Sequence, residues 1–481
     1  MEAILGLCLL LATSVALPFP LYALTKRLKS SFVKLFSIIP STSLILLLLL
    51  AVDFSRLGSL SFKYSWIPQY GVSFGLLLDG LSLPLLVAAA SITLLSMVYS
   101  ALTVRSPEYY FCFSLFYAGV IGVLLAVDLL QFYVFWELML VPCFFIILFW
   151  GSPGRAHITA YKFFFFTHVG SILILIGFIM IGLRLGSLSM ADITLKLSGA
   201  TDVVLTQATL LITIGFLIKL AVFPLHAWLP DAYCYSPLPL TVVMSSVMMV
   251  ATTYGIFRIP FGVLGVLASG FAGQLMLIGV VSMVYGSAMA LAQRDLRRML
   301  SYSSISHAGY VVFGASTLTT LGLAGSIFYA LNSAICKGLL FMCSGVYGEK
   351  AFSEDLEELR GVAVKMPLTS TFFLLAALSL GGLPPFAGFI GEWMLFGGGF
   401  QRGWIYALLA VAGALLTFPY FLWAIYRMFV SSSIRSLENV TEANWRTLIP
   451  LLPLGLATVI LGVAPSPVLE VLYPVVEAVT P

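Results

Sequence analysis

Residues 215–232 read GFLIKLAVFPLHAWLPDA. The segment begins as a strongly apolar helix, yet it sets Lys219 among leucine, isoleucine and phenylalanine and follows it five residues on with Pro224. Proline removes a backbone donor and interrupts the helix ladder. A charge near the middle of a bilayer costs at least about 2.5–3.5 kcal/mol on insertion scales. A freed backbone group at that depth is tolerated only where it is buried in protein or lines a wet cavity. A helix that both breaks and carries a charge therefore predicts a polar path through oil, provided that the rest of the chain is a membrane protein.

The composition meets that condition. The chain has 481 residues, 60% of them hydrophobic and only 9% charged, with a mean hydropathy of +1.07. Too few charges are present to cover a soluble surface at this length, so lipid is the natural solvent. No basic cluster sits on a soluble face, which excludes nucleic acid as a partner. The cysteines (Cys8, Cys112, Cys143, Cys234, Cys336 and Cys343) are scattered, without a CxxC pair or a histidine at ligand spacing. Iron–sulfur, zinc and disulfide readings therefore fail. No GxGxxG or GxxxxGK[ST] loop occurs. The chain is expected to hold no cofactor and to have no redox or catalytic site of its own.

A spanning helix needs about 20 apolar residues, and about fourteen such segments fit. They are 3–24, 35–52, 74–102, 108–127, 129–150, 160–185, 204–229, 236–258, 264–292, 299–317, 321–347, 367–400, 403–429 and 446–464. The first is long for a signal-peptide core and its basic cluster follows it, so it reads as a retained helix. With the N-terminus outside, most cations fall on inside loops, among them Lys26, Arg27, Lys29, Lys34, Arg105, Arg155, Arg294, Arg297, Arg298 and Arg435. The outside loops hold Arg56, Lys63, Arg184, Lys196, Arg258 and Arg402. This asymmetry is what positive-inside orientation predicts, and it places both termini outside.

Segments 204–229 and 367–400 are interrupted near their middles. The second carries SLGGLPPFAGFIGE, with Gly381, Gly382, Pro384, Pro385 and Gly388 in one spot. Broken helices at the seventh and twelfth positions point to two repeats with binding sites at the breaks. The expected fold is thus an all-α polytopic membrane protein with two inverted five-helix repeats. Its divisions are 1–107 (helices one to three), 108–258 (first repeat), 259–430 (second repeat) and 431–481 (helix fourteen and tail).

Intramembrane charges mark ion paths by default. Glu137 lies about ten residues into helix five, Lys219 just before the first break, Lys337 in the middle of helix eleven and Glu392 just past the second break. Desolvation favours a neutral lysine and a nearby carboxylate favours a charged one. Glu137 is the natural carboxylate for Lys219, and a pair that parts and meets is a proton carrier. The competing role is a static ion pair that fixes helix packing. His307, among Ser303, Ser304 and Ser306, adds a titratable group in helix ten that a structural histidine would equally explain. Lys162 and His168 are weaker candidates. His226 and Asp231, after the first break, and Ser245 and Ser246, in helix eight, are candidates for lining a channel.

The stretches FWELMLVP, KFFFFTHVGS, IKLAVFPLHAWLPDA, QRDLRRMLSYSSISHAG, CKGLLF and GGLPPFAGFIGEWMLF occur in that order. Over roughly residues 74–430 the sequence resembles the antiporter-like subunits of respiratory complex I and of the related Mrp antiporter and membrane-bound hydrogenase complexes. Glu392 is similar to the complex I subunit of the chain-4 type, whereas Lys337 is similar to the other paralogues. The chain thus looks like a divergent or archaeal-like member. The resemblance implies fourteen helices, two inverted repeats, proton input around Glu137 and Lys219, lateral transfer toward helix eleven and output near Glu392. Its implied partners are other membrane subunits of such an assembly and peripheral iron–sulfur redox subunits. Its implied place is an energy-coupling membrane: a bacterial or archaeal cell membrane, or an organellar inner membrane.

One departure stands out. The family usually carries a lysine or histidine in helix eight. Here those positions fall on Val250 and near Met244, and neither side chain carries a proton. Either water bridges the gap or the subunit transmits conformational change without full pumping. Three functions follow from the residues: an ion-translocating subunit of a redox-driven complex, a subunit of a multi-subunit Na⁺/H⁺ antiporter without redox chemistry, and a scaffold with an interrupted proton path.

Overall fold

The computed structural model describes residues 2–28, 30–197, 202–432 and 437–479. Lys29 and Arg435, counted above among the inside cations, lie outside the described residues. The fold is nearly all helical. Among the described residues, twelve helices are long and apolar enough to cross a membrane.

The chain opens with α1 (Glu2–Ala16), α2 (Pro18–Leu28) and α3 (Ile38–Leu57), then a hairpin of β1 (Leu60–Ile67) and β2 (Val72–Leu78). There follow α4 (Ser82–Thr103), α5 (Pro107–Leu125), α6 (Leu129–Trp150), α7 (Ala156–Leu185), the short α8 (Met190–Leu197) and α9 (Val203–Leu220). After the first break come α10 (Leu229–Tyr235), α11 (Leu238–Val243), a π-helical turn (Met244–Met248), α12 (Met249–Arg258), a second π turn (Ile259–Val263), α13 (Gly265–Ala268) and α14 (Ala272–Leu291). The remainder is α15 (Leu296–Ser316), α16 (Thr320–Ala351), α17 (Pro367–Leu380), α18 (Ala387–Arg402), α19 (Trp404–Ala414), α20 (Thr417–Ile425), a third π turn (Tyr426–Val430), α21 (Trp445–Leu448), α22 (Leu451–Val463) and α23 (Ser466–Glu477).

Two of the about fourteen expected spans are not among the twelve. α15 carries Ser301, Ser303, Ser304, Ser306 and His307, all buried. A helix enclosed by other helices has no need of an apolar surface. The segment 367–400 divides at its break into α17 and α18, of 14 and 16 residues.

The third expected span needs correction at its start. Residues 74–78 belong to β2, and the helix begins at Ser82. β1 and β2 pair antiparallel, Leu60 with Leu78 through Ser65 with Ser73, around a turn that ends at Gly71 with φ +62°. Tyr64 and Trp66 stand exposed on β1. Their amphipathic rings suit the level of lipid headgroups.

The chain forms two compact units. The first comprises residues 1–220, 250–272 and 471–481, the second residues 221–249 and 273–470. In the first, α5, α6, α7 and α9 pack in sequence order. α7 and α9 touch through Gly170 and Gly215; a Cβ on Gly170 would stand 2.9 Å from the Gly215 carbonyl oxygen. Small residues permit such approach where helices gain nothing by hiding apolar surface from lipid. In the second unit α16 is the axis, with α11, α15, α17, α18 and α22 against it. Its 32 residues include a fully buried membrane-length window.

A buried ion pair holds the start of α4 in the first unit. Asp79 Oδ1 accepts from the backbone N–H groups of Leu81 and Ser82, at 3.2 and 3.0 Å, and so caps the helix. Its Oδ2 accepts from Arg258 Nη2 at 2.5 Å, and Arg258 Nε donates to Tyr254 Oη at 3.1 Å. Arg258, read above as a loop cation, is thus largely buried and paired at the end of α12. Removing one partner of a buried pair strands the other charge. Asp79→Ala is expected to destabilise the chain by about 3–5 kcal/mol, measured as a lowered unfolding midpoint in detergent. The double variant Asp79→Ala/Arg258→Met should recover most of the loss.

Candidate functional site

The first unit presents a lysine with unusually soft surroundings. Lys219 lies in the last turn of α9 and is 4% exposed. Its Nζ stands 5.4 Å from the Trp136 ring centre and 5.8 Å from that of Phe163, and it has no hydrogen-bond partner. Ring faces attract a cation but take no proton from it. Trp136 is fixed in turn by its indole N–H, which donates to Ser171 Oγ on α7 at 3.2 Å.

Glu137, next in the chain on α6, is within electrostatic range of Lys219. Its closer ionisable neighbour is His168 on α7, with Nδ1 at 3.5 Å from Glu137 Oε2. Glu137 Oε1 is buried without a hydrogen-bond partner. The pairing of Glu137 with His168 was missed because the two are on different helices; only their common depth along α6 and α7 would have pointed to it.

The first break begins at Ala221, whose φ is +59°. Breaking a helix frees amides, and the second unit accounts for them locally. Phe223 N–H donates to Ser282 Oγ at 3.0 Å, and Leu225 N–H to the Val222 carbonyl at 2.6 Å. The Phe223–Pro224 bond is cis. His226 Nε2 shares a hydrogen bond with Tyr285 Oη at 3.0 Å. Asp231, in the first turn of α10, is partly buried and within electrostatic range of Arg298. Ser245 and Ser246 are buried in the π turn, and both hydroxyls donate to the Val242 carbonyl of their own helix.

Farther along the second unit, α15, α16 and α18 gather the remaining candidates. Lys337 is 1% exposed, and its Nζ donates to the Met249 thioether at 3.2 Å. It is within electrostatic range of His307. His307 is fully buried, with Nδ1 at 2.5 Å from Tyr329 Oη and Nε2 at 3.3 Å from Tyr420 Oη. Tyr310, one turn on along α15, stacks on Tyr329 with ring centres 4.9 Å apart and shares a hydrogen bond with Thr417 at 2.8 Å.

The second break sets Glu392 against this group. Gly382 has φ +72°, a region that glycine enters without strain, and a Cβ there would run into the Glu392 carboxylate. Glu392 faces the Tyr310 hydroxyl, while its Oε1 accepts no hydrogen bond. Asn332 Oδ1 accepts from Ser379 Oγ at 3.0 Å beside the break, but Asn332 Nδ2 and Ser333 Oγ have no partner. Such orphaned polar atoms in a buried seam are places where ordered water sits. Among the described residues no three His, Cys, Asp or Glu side chains gather to hold a metal ion.

Two clusters of titratable groups, each beside a broken helix, thus lie within a chain whose helices are long and apolar enough to cross a membrane. Residues 126–417 match the family described as NADH:quinone oxidoreductase/Mrp antiporter, transmembrane. The chain is 34% identical over 431 residues to F(420)H(2) dehydrogenase subunit M of Methanosarcina mazei, covering 86% of each chain. It is 32% identical to NADH-quinone oxidoreductase subunit M of Rickettsia typhi, covering 86% of this chain and 84% of that one. Respiratory complex I from Thermus thermophilus contains a chain of the same fold, with a TM-score of 0.88 at 24% identity, covering 98% of this chain and 99% of that chain. The chain belongs to this family: it is an integral membrane, antiporter-like subunit.

The packing of Gly382 on Glu392 gives a direct test. Gly382→Ala is expected to displace the carboxylate and to lower proton transport by the assembled complex in sealed vesicles by about 10²-fold. Gly58 also has a left-handed φ, +73°, but open space where a Cβ would stand. Gly58→Ala should cost about 1 kcal/mol of stability and leave transport unchanged. Equal transport by the two variants would remove Glu392 from the route.

Proposed function

We propose that this chain translocates protons within a redox-driven membrane complex, taking them up around Glu137 and Lys219 and releasing them near Glu392. One observation carries the reading: Lys219 is a buried ammonium with no hydrogen-bond partner, at the end of a helix that breaks two residues later. A lysine tied to a carboxylate is a brace. A lysine held only by ring faces, with Glu137 in range, exchanges a proton at modest cost.

Lys337 repeats the pattern in the second unit, where a thioether is the acceptor. Met249 precedes Val250, the position where the helix-eight base is absent. A lysine from α16 that reaches Met249 supports a continued route and speaks against a scaffold. His307 and Glu392 carry the proton onward. His226, Asp231, Ser245 and Ser246 belong to the polar lining.

Electrons move in partner subunits. Of the relatives named above, one is a subunit of an F(420)H(2) dehydrogenase and the other of an NADH-quinone oxidoreductase, which supports a redox-driven assembly over an antiporter without redox chemistry. In such an assembly peripheral iron–sulfur subunits would carry the electrons. The complex belongs in an energy-coupling membrane, with both termini of this chain outside. Lys219→Ala is expected to abolish proton transport while the complex still assembles, measured by acidification of sealed vesicles after the complex's native reductant is added. Normal transport in that variant would end the assignment. Purification with antiporter subunits alone would replace the redox reading with the antiporter one.

A further inference from the structure

The buried side of α16 repeats a polar residue every four positions: Tyr329, Ser333 and Lys337. Residues four apart lie above one another on a helix. α15 faces it with Ser303, His307 and Tyr310 at the same kind of spacing. The two rows meet where Tyr329 Oη touches His307 Nδ1, at 2.5 Å. On the far side of the imidazole stands Tyr420 of α20, with its hydroxyl 3.3 Å from Nε2. Glu392 is close enough to interact electrostatically with the hydroxyls of Tyr310, Tyr329 and Tyr420.

We propose that Tyr329 and Tyr420 are proton-transfer residues, forming with His307 a hydroxyl–imidazole–hydroxyl relay that joins Lys337, through Ser333, to Glu392. The proposal rests on the proton-carrying reading above and names groups that it left out.

The chemistry of the groups fits the arrangement. A neutral imidazole has one N–H donor and one bare nitrogen, and a phenol hydroxyl both donates and accepts. With a phenol at each nitrogen, both imidazole tautomers are fully hydrogen-bonded. A static histidine needs one tautomer only. In the transfer step Tyr329 gives its hydroxyl proton to Nδ1 and takes the incoming proton from the Ser333 side. An N–H bond forms at Nδ1 and the O–H bond of Tyr329 is replaced. Nε2 then releases its proton to Tyr420, which passes its own toward Glu392. One proton enters, one leaves, and both phenols end neutral. The ring is reset by exchange to the other tautomer. Ser333 Oγ, buried and without a partner between Tyr329 and Lys337, is where a water or a rotated hydroxyl completes the link. Lys337 adds three N–H donors at the end of the row.

The test uses the membrane complex isolated with its own partner subunits and sealed into vesicles. Tyr329→Phe and Tyr420→Phe remove one oxygen each and keep the ring. Each is expected to lower proton transport by about 10²-fold, with normal assembly. Ser326→Ala is the control, because that buried hydroxyl donates to the Val311 carbonyl and lies outside the relay; it should transport normally. Transport above half of the unsubstituted level in both phenylalanine variants overturns the relay. A loss in these variants that Ser326→Ala shares equally also overturns it, as mere packing damage. If the variants fail to assemble, infrared difference spectra of the unsubstituted complex with ring-deuterated tyrosine decide. Turnover must shift tyrosine C–O bands, and their silence during transport overturns the relay. Lys219→Ala, measured in parallel, separates the two ideas. If it abolishes transport while the phenylalanine variants pump normally, the relay falls and the carrier stands. If Lys219→Ala pumps normally, the carrier reading itself falls.

Discussion

A charged side chain in a low-dielectric interior must be compensated, and this protein compensates its charges in two different ways. Arg258 and Asp79 are joined at 2.5 Å, Arg297 and Glu354 at 2.6 Å. Each arginine has a second acceptor, Tyr254 Oη for one and the Cys234 carbonyl for the other. Arginine does not give up its proton, so such pairs act as braces. Glu354, in the loop between α16 and α17, shows the tension within a brace: burial pushes its carboxyl above the usual carboxylate range while Arg297 draws it down. Lys219 and Lys337 belong to the other kind. Their neighbours are ring faces and a thioether, which stabilise a cation weakly and compete poorly for its proton. Lysine, unlike arginine, changes its charge when its surroundings change. The division of labour between the two cations thus follows from their acid–base chemistry.

The broken helices lie beside groups without such a brace. An unbroken helix offers neither free backbone groups nor room beside them. At the first break the amide of Phe223 turns to Ser282, and the polypeptide leaves the helical path just after Lys219. At the second, glycine at 382 lets the backbone close on the Glu392 carboxylate, which a Cβ would force to shift. In both places the interruption sits beside an ionisable group.

Much of this was legible because cost is legible. Lys219, Lys337, Glu137 and Glu392 stand out in the sequence by being expensive where they are, and Pro224 and the Gly-Gly-Leu-Pro-Pro run announce the breaks. What escaped had no such marker. The hairpin of residues 60–78 escaped because its first strand fell in the loop between two expected spans and its second ran into the start of the third, although Phe62, Tyr64 and Trp66 alternate as a strand does. The partner of Glu137 escaped because helix rotation and crossing decide which side chains meet. The tyrosines around His307 escaped because a phenol costs little in a membrane, so its placement draws no attention until its neighbours are known. A fourfold spacing from Tyr329 to Lys337 was present, but in an all-helical chain that period is everywhere.

Helix eight shows why a missing residue need not mean a missing function. Sequence comparison by position finds Val250 where a base is expected, and nothing within that helix replaces it. Position along one helix is a poor proxy for position in space, however. A lysine stem reaches across a helix–helix contact, so the same point can be served from a neighbour. Lys337 stands in that position on α16, with its Nζ at the Met249 thioether at the end of a π turn. Such turns insert an extra residue and shift the register of everything after them, and they occur often at functional sites. The local distortion of helix eight and the lysine arriving from α16 meet at the same residue.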